Sequence, residues 1–121
     1  MELTGKCKEE FEKWVFTKDA NTYLRFIGLR DFYNLPNAMR YGVLVDYFDS
    51  VGIQIGIEFF DNSRATGFDY QILTENDRDF DDENCMDAAK VYSGNDHIGL
   101  RPEARTEAIE KADELQNKVL N

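Results

Sequence analysis

Two stretches, Ile53-Gln54-Ile55-Gly56-Ile57-Glu58-Phe59-Phe60 and Phe68-Asp69-Tyr70-Gln71-Ile72-Leu73-Thr74, decide the fold class. Both alternate apolar and polar residues, the period of a strand buried on one face only. Between them, Asp61-Asn62-Ser63-Arg64-Ala65-Thr66-Gly67 has the composition of a loop. The simplest pairing is an antiparallel hairpin, with Ile53, Ile55, Ile57 and Phe59 on one face beside Phe68 or Tyr70. An isolated hairpin is marginal in water. Its apolar face therefore needs a cover, and the flanking sequence supplies helices for it.

Toward the N-terminus, Pro36 suits the first turn of a helix in which Val43, Leu44, Tyr47, Phe48 and Val51 keep helical spacing. Gly52 suits a left-handed cap at its end. Tyr41-Gly42-Val43-Leu44-Val45 is also rich enough in β-branched residues to read as a strand. Before it, Asp19 can cap a segment in which Tyr23, Leu24, Phe26, Ile27, Leu29 and Tyr33 form a broad apolar stripe, read as helix and stopped by Asn34-Leu35-Pro36. The first helix is predicted to be capped by Thr4 and to end near Lys18. Cys7, Phe11, Trp14 and Val15 lie on its inner face, and Glu9 pairs with Lys13 outside.

Toward the C-terminus, Cys85, Ala88, Ala89 and Tyr92 have helical spacing, whereas Lys90-Val91-Tyr92-Ser93 also fits a short third strand. Arg101-Pro102-Glu103 opens a long helix reaching about Val119. Ala104, Ala108, Ile109, Ala112, Leu115 and Val119 form its inner stripe, with Glu107–Lys111 and Glu114–Lys118 pairs outside. The pattern is α+β: N-terminal helices, a small mainly antiparallel sheet of two or three strands, and a long C-terminal helix packed on it, as one domain over residues 1–121.

The chain of 121 residues carries a net charge of −10, and the excess is local. Residues 1–40 hold seven bases and six acids, residues 41–100 three bases and thirteen acids, and residues 101–121 four bases and five acids. The densest part is Glu75-Asn76-Asp77-Arg78-Asp79-Phe80-Asp81-Asp82-Glu83. Such a balance excludes a simple basic module for nucleic acid or anionic membrane. No apolar run approaches the roughly 18 residues of a membrane helix. Met1-Glu2-Leu3-Thr4-Gly5 lacks the apolar core of a secretory signal, so a cytoplasmic protein is expected. Cys7 and Cys85 are then expected to be reduced.

Catalytic and metal motifs are scarce. One histidine, His97, and two distant cysteines do not make a zinc site. Asp77, Asp79 and Asp81 match the first three ligand positions of an EF-hand loop, but Asp82 replaces the turn glycine and Ala88 the closing glutamate. A looser divalent-cation site stays open there. Asp46 and Asp49, three apart on a helix, are neighbouring carboxylates able to hold a metal or move a proton, or simply to face solvent. No phosphate loop, dinucleotide fingerprint or nucleophile elbow is present. The aromatic groups Phe26, Phe32, Tyr33 and Tyr41, Tyr47, Phe48 could stack on bases, but they fit helical stripes and lack a basic surround.

Three stretches carry a resemblance. They are Leu3-Thr4-Gly5-Lys6-Cys7-Lys8-Glu9-Glu10-Phe11-Glu12-Lys13-Trp14, the run from Leu35-Pro36-Asn37-Ala38-Met39-Arg40 to Gly52-Ile53, and Arg101-Pro102-Glu103-Ala104-Arg105-Thr106-Glu107-Ala108-Ile109-Glu110-Lys111-Ala112. Together they resemble segments of small uncharacterised proteins of phages and mobile elements of Bacteroidota-type bacteria. The resemblance implies such an origin and brings no catalytic residue or family activity with it.

The expected function is that of a small acidic, non-enzymatic accessory protein without a cofactor. It would bind a host or defence protein that has a basic surface, with inhibition as an outcome of binding, using Asp77, Asp79, Asp81, Asp82 and Glu83. No direct nucleic-acid contact is expected. The alternatives are a small-molecule or nucleotide-binding module built on the aromatic residues, a carboxylate-dependent enzyme using Asp46, Asp49 or the 77–83 acids, and a structural phage component.

Overall fold

The computed structural model describes residues 2–17, 22–61, 66–74, 90–93 and 100–120. The elements run α1 (Gly5–Trp14), α2 (Thr22–Tyr33), α3 (Asn37–Ser50), β1 (Ile53–Asp61), β2 (Thr66–Thr74), β3 (Lys90–Ser93) and α4 (Arg101–Leu120). The fold is α+β, as the periodicities predict. Two units are distinguished: Met1–Tyr47 with Ile109–Asn121, and Phe48–Ala108.

The first unit is helical and centred on Phe11, which is 1% exposed. The Phe32 and Tyr47 rings each lie 5.3 Å from it, Tyr47 edge-on, and the Trp14 ring lies 6.1 Å away. Trp14 also meets Tyr47 edge-on at 5.6 Å. Each such pair adds about 0.5–1.5 kcal/mol beyond its area burial. Cys7, Val15, Leu44, Ile109, Ala112 and Leu115 complete the core. On the surface of this unit the Tyr33 hydroxyl donates to Glu12 Oε1 at 2.8 Å, and the Lys8 ammonium lies over the Tyr33 ring.

Three local expectations are corrected here. Thr4 occupies the N-cap position with extended backbone, but its side chain makes no capping bond; it is drawn instead to Asp113 of α4. The helix α1 ends at Trp14, short of Lys18, because the Thr17 amide and hydroxyl both turn back onto the Trp14 carbonyl, at 2.9 and 2.8 Å. The outer partner of Lys13 is Glu10, one turn away, at 3.3 Å.

The predicted second helix is broken. Gly28 has φ 78° and ψ 173°, a non-helical conformation that joins two helical pieces within α2. That combination is essentially closed to residues with a Cβ. In α3, by contrast, the ambiguous residues 41–45 are helical, with Leu44, Tyr47 and Phe48 buried. The Gly52 amide then closes onto the Asp49 carbonyl with φ 84°, the left-handed end predicted from its sequence position.

The second unit holds the sheet, in the order β1-β2-β3. β1 and β2 pair antiparallel over nine residues without a bulge, from Ile53↔Thr74 to Asp61↔Thr66. The register puts Ile53, Ile55, Ile57 and Phe59 opposite Thr74, Ile72, Tyr70 and Phe68, the face read from the alternation. Residues 90–93, whose sequence fits either helix or strand, form β3 against β2. The first turns of α4 pack on this sheet, where the Arg101 guanidinium lies 4.6 Å over the Phe68 ring. Ile53, Ile72, Ala104 and Ala108 are all buried. The inner stripe of α4 ends at Leu115, since Val119 is 56% exposed.

No space limits the Gly28 side, as a Cβ there would meet nothing within 4 Å. Gly28→Ala therefore isolates backbone strain. It is expected to lower stability by roughly 1–3 kcal/mol in urea unfolding. No loss would mean that the chain relaxes freely at this break.

Candidate functional site

The strongest sequence candidates, Asp77, Asp79, Asp81, Asp82 and Glu83, lie outside the described residues, as do Cys85 and His97. Asp46 and Asp49 are on the exposed side of α3, as their spacing allows. Among the described residues no group of three or more His, Cys, Asp or Glu side chains is placed to hold a metal ion. Of the aromatic candidates, Phe32, Tyr47 and Phe48 are core residues, while Tyr33 and Tyr41 are half-buried.

Two constellations remain. The first is a buried polar network in the helical unit. Asp113, only 7% exposed, accepts the Thr4 amide at 2.9 Å on Oδ1 and the Thr4 hydroxyl at 2.6 Å on Oδ2. The Asn117 carbonyl oxygen accepts the Cys7 amide at 2.9 Å. Its amide nitrogen donates to the Thr4 carbonyl at 3.1 Å and to Asp113 at 3.3 Å. The free amides at the start of α1 and the positive end of its dipole thus meet acceptors carried by α4. Gly5 fits this approach: its φ is 55°, and a Cβ would stand 3.1 Å from Asn117 Oδ1.

This network borders the Cys7 thiol and the Tyr47 hydroxyl, which lie beside one another in the core. Burial first, then the nearby Asp113 charge, pushes the Cys7 thiol well above its ordinary value of 9.0. Burial, then the neighbouring Cys7, pushes Tyr47 up from 10.0. Burial and the Glu12 carboxylate raise Tyr33 in the same sense. A thiol held protonated is a poor nucleophile. Sequence reading missed Asp113, Gln116 and Asn117, although Asp113 follows Ile109 by four and Gln116 follows Ala112 by four, which puts both on the inner stripe.

The second constellation is the outer face of the hairpin and the edge of β1 that is unpaired among the described residues. Gln54, Gly56 and Glu58 stand opposite Leu73, Gln71 and Asp69 on the outer face. Glu58 and Asp69 are thus cross-strand partners of like charge, an arrangement that costs stability. Asp69 Oδ1 accepts the Tyr70 amide at 2.8 Å. Gly56 presents no side chain, and a cleft of about 300 Å³ opens there, lined by Gln54, Ile55, Gly56, Gln71, Ile72 and Leu73. Among the described residues β1 pairs only with β2. At the far end of the apolar face, Phe59 stacks on Phe68 at 5.3 Å yet stays 59% exposed.

No helix among the described residues is long and apolar enough to cross a membrane. Protein-family models, curated proteins and solved structures give no match to this chain.

The raised Cys7 and Tyr47 values have a signed consequence for stability. The folded state keeps these protons at a pH where the unfolded chain releases them. Stability from these groups is therefore complete below about pH 9 and falls as pH rises past 9.0 for Cys7 and 10.0 for the tyrosines. Urea titrations at neutral pH and at pH 10.5 should show the fall, and Cys7→Ala should remove the part that begins near 9. A flat profile would mean that the thiol is not held protonated.

Proposed function

We propose that this protein is a small non-enzymatic accessory protein of phage or mobile-element origin that binds a basic surface on a host or defence protein and inhibits it. The observation that carries the reading is the confinement of the charge: residues 41–100 hold thirteen acids and three bases, while the flanks are almost balanced. The hairpin adds acids on one face through Glu58 and Asp69. The resemblance of residues 3–14, 35–53 and 101–112 to phage and mobile-element proteins supports the setting, which is the cytoplasm of the bacterial host. Asp77, Asp79, Asp81, Asp82 and Glu83 are the main contact residues, imitating the phosphate charge that a basic groove normally meets. Opposite charge here speeds encounter and sets register more than it supplies affinity.

The test is capture of partners from the bacterial host, followed by a salt titration of the purified pair. A basic partner is expected, with affinity falling about tenfold or more between roughly 0.05 and 0.5 M NaCl. Joint substitution of Asp77, Asp79, Asp81 and Asp82 by Asn should abolish binding and leave the circular dichroism spectrum unchanged. A partner without basic character, or salt-insensitive binding, contradicts the reading.

A further inference from the structure

The strand β1 is nine residues long and bulge-free, and among the described residues one of its two edges is unpaired. Such an edge is a template for another strand, and proteins usually guard it with lysine, proline, a bulge or brevity. None of these guards is present in Ile53-Gln54-Ile55-Gly56-Ile57-Glu58-Phe59-Phe60-Asp61. The guard is acidic: Glu58, exposed on the outer face opposite Asp69. An anionic guard repels a second copy of this chain, since each copy carries −10. It does not repel a cationic strand. A cation set against Glu58 and Asp69 also relieves the like-charge pair that the hairpin tolerates when alone.

We infer that the open edge of β1 receives, by strand addition, an extended segment of the basic partner in which cationic and apolar side chains alternate. The inference rests on the proposed function and names the partner's chemistry and the docking element. Side chains on one strand alternate between faces. A strand beside β1 therefore sends one set of side chains to the outer face, toward Glu58, Asp69 and the cleft at Gly56. The other set goes to the inner face, beside Ile57 and the exposed ring of Phe59. Lysine or arginine fits the first set and valine, isoleucine or an aromatic residue the second. Backbone hydrogen bonds hold the segment and the alternation selects it.

The test uses the full chain and two peptides of equal composition and charge. One alternates lysine and valine over eight residues; the other carries four lysines followed by four valines. The alternating peptide should bind about tenfold more tightly and slow amide hydrogen exchange in Ile53–Asp61. Glu58→Lys should weaken binding about tenfold while raising the urea midpoint, because it turns a repulsive cross-strand pair into an attractive one. That opposite movement separates docking from folding. Phe59→Ala should weaken binding severalfold with the exchange pattern of the free protein unchanged. Equal binding of the two peptides, or protection outside β1, overturns strand addition while leaving the acidic-surface reading intact. Binding of neither peptide also overturns it, and the host capture then decides the wider reading on its own. Protection of β1 that rises with protein concentration alone would mean that a second copy takes the edge, and would overturn it as well.

Discussion

The helical unit depends on one contact set, the capping of α1 by side chains of α4. A helix begins with amides that have no partner within it. Here the partners come from residues more than a hundred positions away: Asp113 takes Thr4, and Asn117 takes Cys7. Asp113 is the one buried charged side chain among the described residues. Burying a carboxylate is costly unless hydrogen bonds and an opposite field satisfy it. Two donors from Thr4, one from Asn117 and the positive end of the α1 dipole supply both. The same contacts place Cys7 and Phe11 against Tyr47 and so set the centre of the aromatic core. The raised ionisation of Cys7 and Tyr47 is a by-product of that placement.

The sheet unit is governed by a different constraint, the two-residue period of the hairpin. Its register sends Ile53, Ile55 and Ile57 to one face and Gln54, Gly56 and Glu58 to the other. Burial is deepest at the Ile53 and Ile72 end, and it fades toward Phe59. Glu58, the exposed ring of Phe59 and an edge unpaired among the described residues therefore occur on one strand, β1. We propose that this strand takes the partner's segment and that residues 77–83, the densest acids of the sequence, attract the same partner.

Legibility from sequence followed the strength of each local signal. The hairpin was readable because nine paired positions repeat one alternation, and α4 because Ala104, Ala108, Ala112 and Leu115 repeat one stripe. Residues 41–45 were ambiguous since valine serves both geometries; the helix won because Leu44, Tyr47 and Phe48 all bury from it. The break at Gly28 left no trace, because the apolar stripe runs through it. Thr4 has the sequence position of an ordinary cap, and the competing acceptor, Asp113, lies too far along the chain for local pattern to reveal it. The polar residues of α4 could have been found by following the inner stripe and asking why Asp113 and Gln116 sit on it. At the site, the alternation of β1 was legible, but its role as an edge required the strand order.

Thr4 and Asp113 act as one unit across the chain. A double-mutant cycle with Thr4→Ala and Asp113→Ala, read by urea unfolding, measures that coupling directly. The 2.6 Å charge-assisted bond between them predicts a coupling of about 1–3 kcal/mol. Additive effects, with coupling near zero, would show that α1 is held by its apolar face alone and would contradict the account.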